Sequence, residues 1–135
     1  MGYDTRFSGT FDLNKTLAAE HHEILKELAR TEHIPGEDGK PLREGGSSRP
    51  CIYCQWIPTD DGEGIEWDGG EKFYCWLEWL QYIVEHHLNP WGYILSGEVR
   101  WRGEDLEDSG VIYVKDNVIE AVEDVNPGPS WKRSA

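Results

Sequence analysis

Residues 55–87 read QWIPTDDGEGIEWDGGEKFYCWLEWLQYIVEHH. The stretch holds four of the seven tryptophans, a run of carboxylates and one strongly apolar helical pattern. Over 71–88, Phe73, Trp76, Leu77, Leu80, Val84 and Leu88 recur at helical spacing. Cys75, Trp79, Tyr82 and Ile83 widen that stripe past one face, so the helix is buried on more than one side. Asn89-Pro90 is expected to stop it, since proline has no N–H with which to continue. Upstream, Asp60-Asp61-Gly62-Glu63-Gly64 is turn chemistry. It joins a strand over 51–57 to a short strand over 65–68, a hairpin that leads into the helix.

Outward from this block, residues 2–11 alternate. Tyr3, Thr5, Phe7, Gly9 and Phe11 fall on one side, and Asp4, Arg6, Ser8 and Thr10 on the other, the pattern of a half-buried strand. A helix is expected over 17–29, with Thr16 as N-cap and Leu17, His21, Ile24, Leu25 and Leu28 inward. Residues 32–50 are rich in Gly, Pro and Ser without periodicity, and read as a long mobile loop. Residues 93–102 alternate again, with Tyr93, Leu95, Val99 and Trp101 inward. Strands over 111–115 and 118–123 flank Asp116-Asn117, a two-residue hairpin candidate.

The predicted order is β-α-β-β-α-β-β-β. The first six elements fit a ferredoxin-like, split βαβ core, and the last two add a C-terminal hairpin. The fold class is α+β, two helices on one mostly antiparallel sheet. It forms a single domain over 1–125, followed by a flexible tail over 126–135. At 135 residues such a domain can bury a real core. No apolar run reaches the roughly 20 residues of a membrane helix, and no secretory signal is visible. Three cysteines, an odd number, point to reduced thiols in a cytoplasm.

The net charge is −13, with 26 acids against 13 bases. Direct binding to a phosphate backbone is disfavoured; an acidic protein of this size can instead approach a basic protein surface, although for most of the carboxylates the simpler role is solubility. The charge is unevenly placed. Asp60, Asp61, Glu63, Glu66, Asp68, Glu71 and Glu78 face a single base, Lys72, and Glu104, Asp105, Glu107 and Asp108 form a second run. If the two runs join, they make one anionic face able to compete with nucleic acid for a basic groove. The competing reading is a solvated surface, with Glu66 and Asp68 on an outer sheet face opposite Arg100 and Arg102.

Other chemistry is less favoured. Cys51, Cys54, Cys75, His86 and His87 are the residues from which a metal site would be drawn. In a strand, however, Cys51 and Cys54 point to opposite faces, and Cys75 sits in a helix. No metal or other cofactor is expected. Glu66, Asp68 and Glu71, with Trp67 as a wall, could form a small-ligand or divalent-metal module. The His21-His22 and His86-His87 pairs offer bases, but no nucleophile motif accompanies them.

The stretches GYDTRFSGTF (2–11), QWIPTDDGEGIEWDGGEKFYCWLEWLQYIV (55–84) and GEVRWRGEDLEDSG (97–110) resemble a family of small bacteriophage, prophage and actinobacterial hypothetical proteins. The block IEWDGGEKFY (65–74) carries the likeness most specifically. The resemblance implies a phage setting and transfers no functional residues. The leading expectation is therefore a non-enzymatic phage accessory protein in the host cytoplasm. It would inhibit a host protein with a basic surface, such as a defence nuclease or nucleic-acid-binding factor. Contact would run through Asp60, Asp61, Glu63, Glu66, Asp68, Glu104, Asp105 and Asp108. The alternatives are the small-ligand module and a virion structural component.

Overall fold

The computed structural model describes residues 4–30, 42–44, 47–49, 53–70, 73–105 and 107–124. The N-terminal strand is broken in two, β1 (Thr5–Ser8) and β2 (Phe11–Leu13). Both lie along one edge of β7 (Leu95–Gly103) in a single register, from Thr5 opposite Gly103 to Leu13 opposite Leu95. The break falls at Gly9, whose φ of +111° only glycine adopts without strain. Because the register survives the break, Thr5, Phe7 and Phe11 all remain buried on one face, as the alternation predicts.

Helix α1 (Ala19–Arg30) then crosses to β5 (Trp56–Pro58), and β6 (Gly64–Trp67) returns antiparallel between β5 and β2. Helix α2 (Trp76–Ile83) leads on to β7 on the far side of β2. Each crossover thus skips one position that another strand fills, which is the split βαβ arrangement. Strands β8 (Ser109–Lys115) and β9 (Val118–Glu123) extend the sheet as the expected hairpin, giving seven strands in the order β5-β6-β2-β7-β8-β9 with β1 on β7. Asp116 and Asn117 close that hairpin at φ +50° and +69°, as a primed turn requires. Within the segment read as a loop, β3 (Leu42–Glu44) and β4 (Ser47–Arg49) pair as a short hairpin of their own. The rest of 32–50 and the 126–135 tail lie outside the described residues.

Both helices pack on the sheet face carrying Phe7, Phe11, Val99, Trp101, Ile112 and Val114. Leu25 closes the core from α1, and Trp79, Leu80 and Ile83 close it from α2. At its centre Trp56 meets Phe7, Phe11 and Phe73 edge-on at 5.0, 5.7 and 5.4 Å. Its indole N–H donates to the Trp76 carbonyl at 2.8 Å. Trp67 and Trp101 likewise donate, to Gln55 Oε1 and Asp108 Oδ1. These indoles bury their rings without stranding a polar group.

The helix ends differ from expectation. Thr16 is not the N-cap: α1 starts later, and Leu17 is instead a buried anchor whose N–H donates to the Gly62 carbonyl at 2.8 Å. Ile24 faces solvent at 43% exposure. Asn89-Pro90 does not stop the second helix. The chain passes through a π-helical turn, Val84–Leu88, into α3 (Asn89–Trp91), and the widened turn accommodates the proline and its missing N–H. The stop comes at Gly92, φ +87°, where Gly92 N–H donates to Asn89 and Tyr93 N–H donates to Leu88. That pair of bonds is a Schellman cap.

Candidate functional site

The first acidic run belongs to the β5–β6 turn. Asp61 accepts from the Thr59 hydroxyl at 2.6 Å and from the Glu63 N–H at 3.0 Å. These two bonds hold its carboxyl below the usual range, so Asp61 is a turn-forming group. Leu13 N–H donates to the Glu63 carbonyl at 2.8 Å, which ties this turn to the end of β2. Asp60, Asp61 and Asp68 are all exposed, but Asp60 and Asp68 are set apart from Asp61. They line a cleft of about 200 Å³ beside α1, along with His22, Lys26 and Arg30. Burial pushes the Asp68 carboxyl up, against the opposing bond from Gly70 N–H. Glu66 stands on the opposite side of β6 from the inward Ile65 and Trp67, half-buried on the open sheet face.

The second run forms the β7–β8 loop. Asp105, Glu107, Asp108 and Glu123 line one open hollow of about 570 Å³. Asp108 anchors it by accepting from Trp101 Nε1 at 3.0 Å, while its backbone bonds to Gly103 and Asp105. Glu104 reaches across to accept from the Asp4 N–H. No cation lines this hollow among the described residues.

The two runs do not join. Leu13 pairs with Leu95 at the start of β7, and the β5–β6 turn is bonded to Leu13. The β7–β8 loop leaves from Gly103, at the other end of the same nine-residue strand. At about 3.3 Å per residue the two ends are about 26 Å apart. A single face containing Asp60, Asp61, Glu63, Glu66, Asp68, Glu104, Asp105 and Asp108 is therefore not what the fold builds. Glu66 and Asp68 do not face Arg100 and Arg102 across a strand pair either, because β2 lies between β6 and β7. Arg100 bonds to Asp124 instead, at 2.9 Å.

The other candidate groups also separate. Trp67 is not a wall for Glu66 and Asp68, since it packs on Phe7 at 5.4 Å inside the core. Glu71 and Cys51 lie outside the described residues. Cys54 is a buried free thiol whose pKa burial pushes up to about 12, which leaves it protonated and inert at neutral pH. Cys75 is disulfide-bonded, contrary to the expectation of reduced thiols, and its partner lies outside the described residues. His86 and His87 pack against Tyr82, and His87 also against Trp91. Among the described residues no group of three or more His, Cys, Asp or Glu side chains is placed to hold a metal ion. His21 bridges the ends of the two helical segments, stacked on Trp91 at 4.0 Å with Nδ1 2.8 Å from the Tyr93 hydroxyl.

Glu123 is the hollow residue that the charge runs did not reveal. It arrives from β9 through the β8–β9 register, opposite Gly110. No family model matches the chain, and no curated protein or solved structure matches it either.

Proposed function

We propose that this protein is a non-enzymatic binding module that docks on a basic protein surface through the β7–β8 hollow. The observation that carries the reading is the hollow itself: four carboxylates, three from one loop and one from the end of β9, anchored through Trp101, with no lining cation among the described residues. Such a surface steers a cationic partner and suppresses anionic ones. Following the resemblance to phage and prophage proteins, the proposed partner is a host protein that handles nucleic acid. Its basic groove would be blocked sterically and electrostatically. The Asp60–Glu63 turn has a structural role in this reading.

Capture of partners from host lysate tests it. The triple change Asp105→Asn, Glu107→Gln, Glu123→Gln is expected to weaken capture of a basic partner at least tenfold, at roughly the value of a few charge pairs. The thermal midpoint should stay unchanged, since the side chains are at the surface. Higher salt should slow association. Equal capture by the triple variant would refute the reading.

The proposed location is the host cytoplasm. Thiol trapping in intact cells tests it: a reduced Cys75 would show that the bond of the structure opens in that compartment, and an intact bond would place the protein in an oxidising one. Of the residues of the alternative small-ligand module, Asp68 alone lines a cleft among the described residues, with Asp60, His22 and Lys26 as its neighbours there.

A further inference from the structure

We propose that Arg6, Arg100 and Arg102 form a binding site for one compact oxyanion, with the charge and shape of a phosphate monoester, on the open face of the sheet. This face is opposite the helices. Arg6 and Arg102 are direct cross-strand partners, and Arg100 follows two residues along the same face of β7. All three are exposed. Like charges directly opposite one another oppose strand pairing, and the fold places this pair in a chain whose net charge is −13.

The nearby carboxylate offsets only part of the repulsion: the field of Arg102 reaches Asp124 without an ion pair between them, and Arg6 is not among the charges that act on it. Asp124 is held by Arg100 at 2.9 Å and by the Ser109 hydroxyl at 2.6 Å. Among the described residues neither Arg6 nor Arg102 makes an ion pair. Two guanidinium forks about 5 Å apart at Cβ can grip a single tetrahedral anion from both sides. Ser8 lies opposite Arg100 and Ser109 opposite Arg102, so two hydroxyls alternate with the arginines.

The surroundings set the size of the ligand. Asp4, Glu98 and Glu104 occupy the same face at the next positions along these strands. They ring the arginines with negative charge, and a polyanionic backbone would be repelled where a single group is not. The site is separate from the acidic hollow and does not depend on its proposed role.

Thermal unfolding and amide NMR with inorganic phosphate, against chloride at matched ionic strength, test the proposal. The wild-type chain is expected to show phosphate-specific stabilisation and saturable shifts at Arg6, Ser8, Arg100 and Arg102. Arg6→Gln and Arg102→Gln, both at exposed positions, should each weaken the apparent affinity about tenfold or more, the effect of losing a charged hydrogen-bond pair. A phosphoserine peptide that binds tighter than inorganic phosphate identifies a phosphorylated partner as the source. Equal binding identifies a free phosphate. Shifts that persist in both variants, or no difference between phosphate and chloride, would overturn the proposal.

Discussion

Trp56→Ala is expected to lower stability by about 3–5 kcal/mol, the range for removing a fully buried aromatic. Trp56 is 1% exposed and touches Phe7, Phe11 and Phe73, so its loss opens a cavity where β1, β2, β5 and the approach to α2 meet. It also removes the bond from the indole N–H to the Trp76 carbonyl. Domains of this size are stable by only about 5–15 kcal/mol, so the variant should sit near the edge of folding. Its melting midpoint should fall by more than about 10 °C. Trp56→Phe keeps most of the ring packing and loses the hydrogen bond, so its cost should be clearly smaller. Calorimetry on the three proteins checks the order. A loss under about 1 kcal/mol in the alanine variant would mean that this indole is not central to the core.

Gly110→Ala should be nearly as damaging for a different reason. A Cβ at this position would lie 2.3 Å from the Val122 carbonyl oxygen and 2.5 Å from the Trp101 ring. Neither neighbour yields easily. Trp101 is fixed by its bond to Asp108 and its contact with Trp76 at 4.9 Å, and Val122 belongs to the β8–β9 ladder. The expected cost is about 3 kcal/mol, at the upper end of the overpacking range. Relief by a shift of β9 would also move Glu123, which faces Gly110 and lines the acidic hollow. The variant should therefore lose both midpoint and partner affinity. The surface triple variant loses affinity alone, and measuring both quantities separates the two effects. Unchanged melting of Gly110→Ala would contradict the close approach of these strands.

Much of this fold could be read from periodicity. Phe7, Phe11, Leu95, Val99 and Trp101 alternate because one sheet face is buried, and that constraint is local. The helix ends were less legible. Pro90 reads as a stop only for regular α-helical hydrogen bonding, and the π turn before it removes that condition. Leu17 looked helical because its spacing to Leu25 fits a helix, but its N–H is used by the Gly62 carbonyl. The site was half legible. Asp105 and Asp108 stood out as a charge run, and both line the hollow. That the Asp60–Glu63 turn lies at the opposite end of β7 depends on strand order, which a charge run does not encode. Glu123 and the Arg6–Arg102 pair come together through register between strands far apart in sequence.

Amide-shift mapping during titration with a short lysine-rich peptide tests the central claim most directly. If docking runs through the hollow, the shifts fall on Glu104, Asp105, Glu107, Asp108 and Glu123, and they fade as salt rises. Shifts centred on Asp60, Asp61 and Glu63, with the β7–β8 loop silent, would contradict the account.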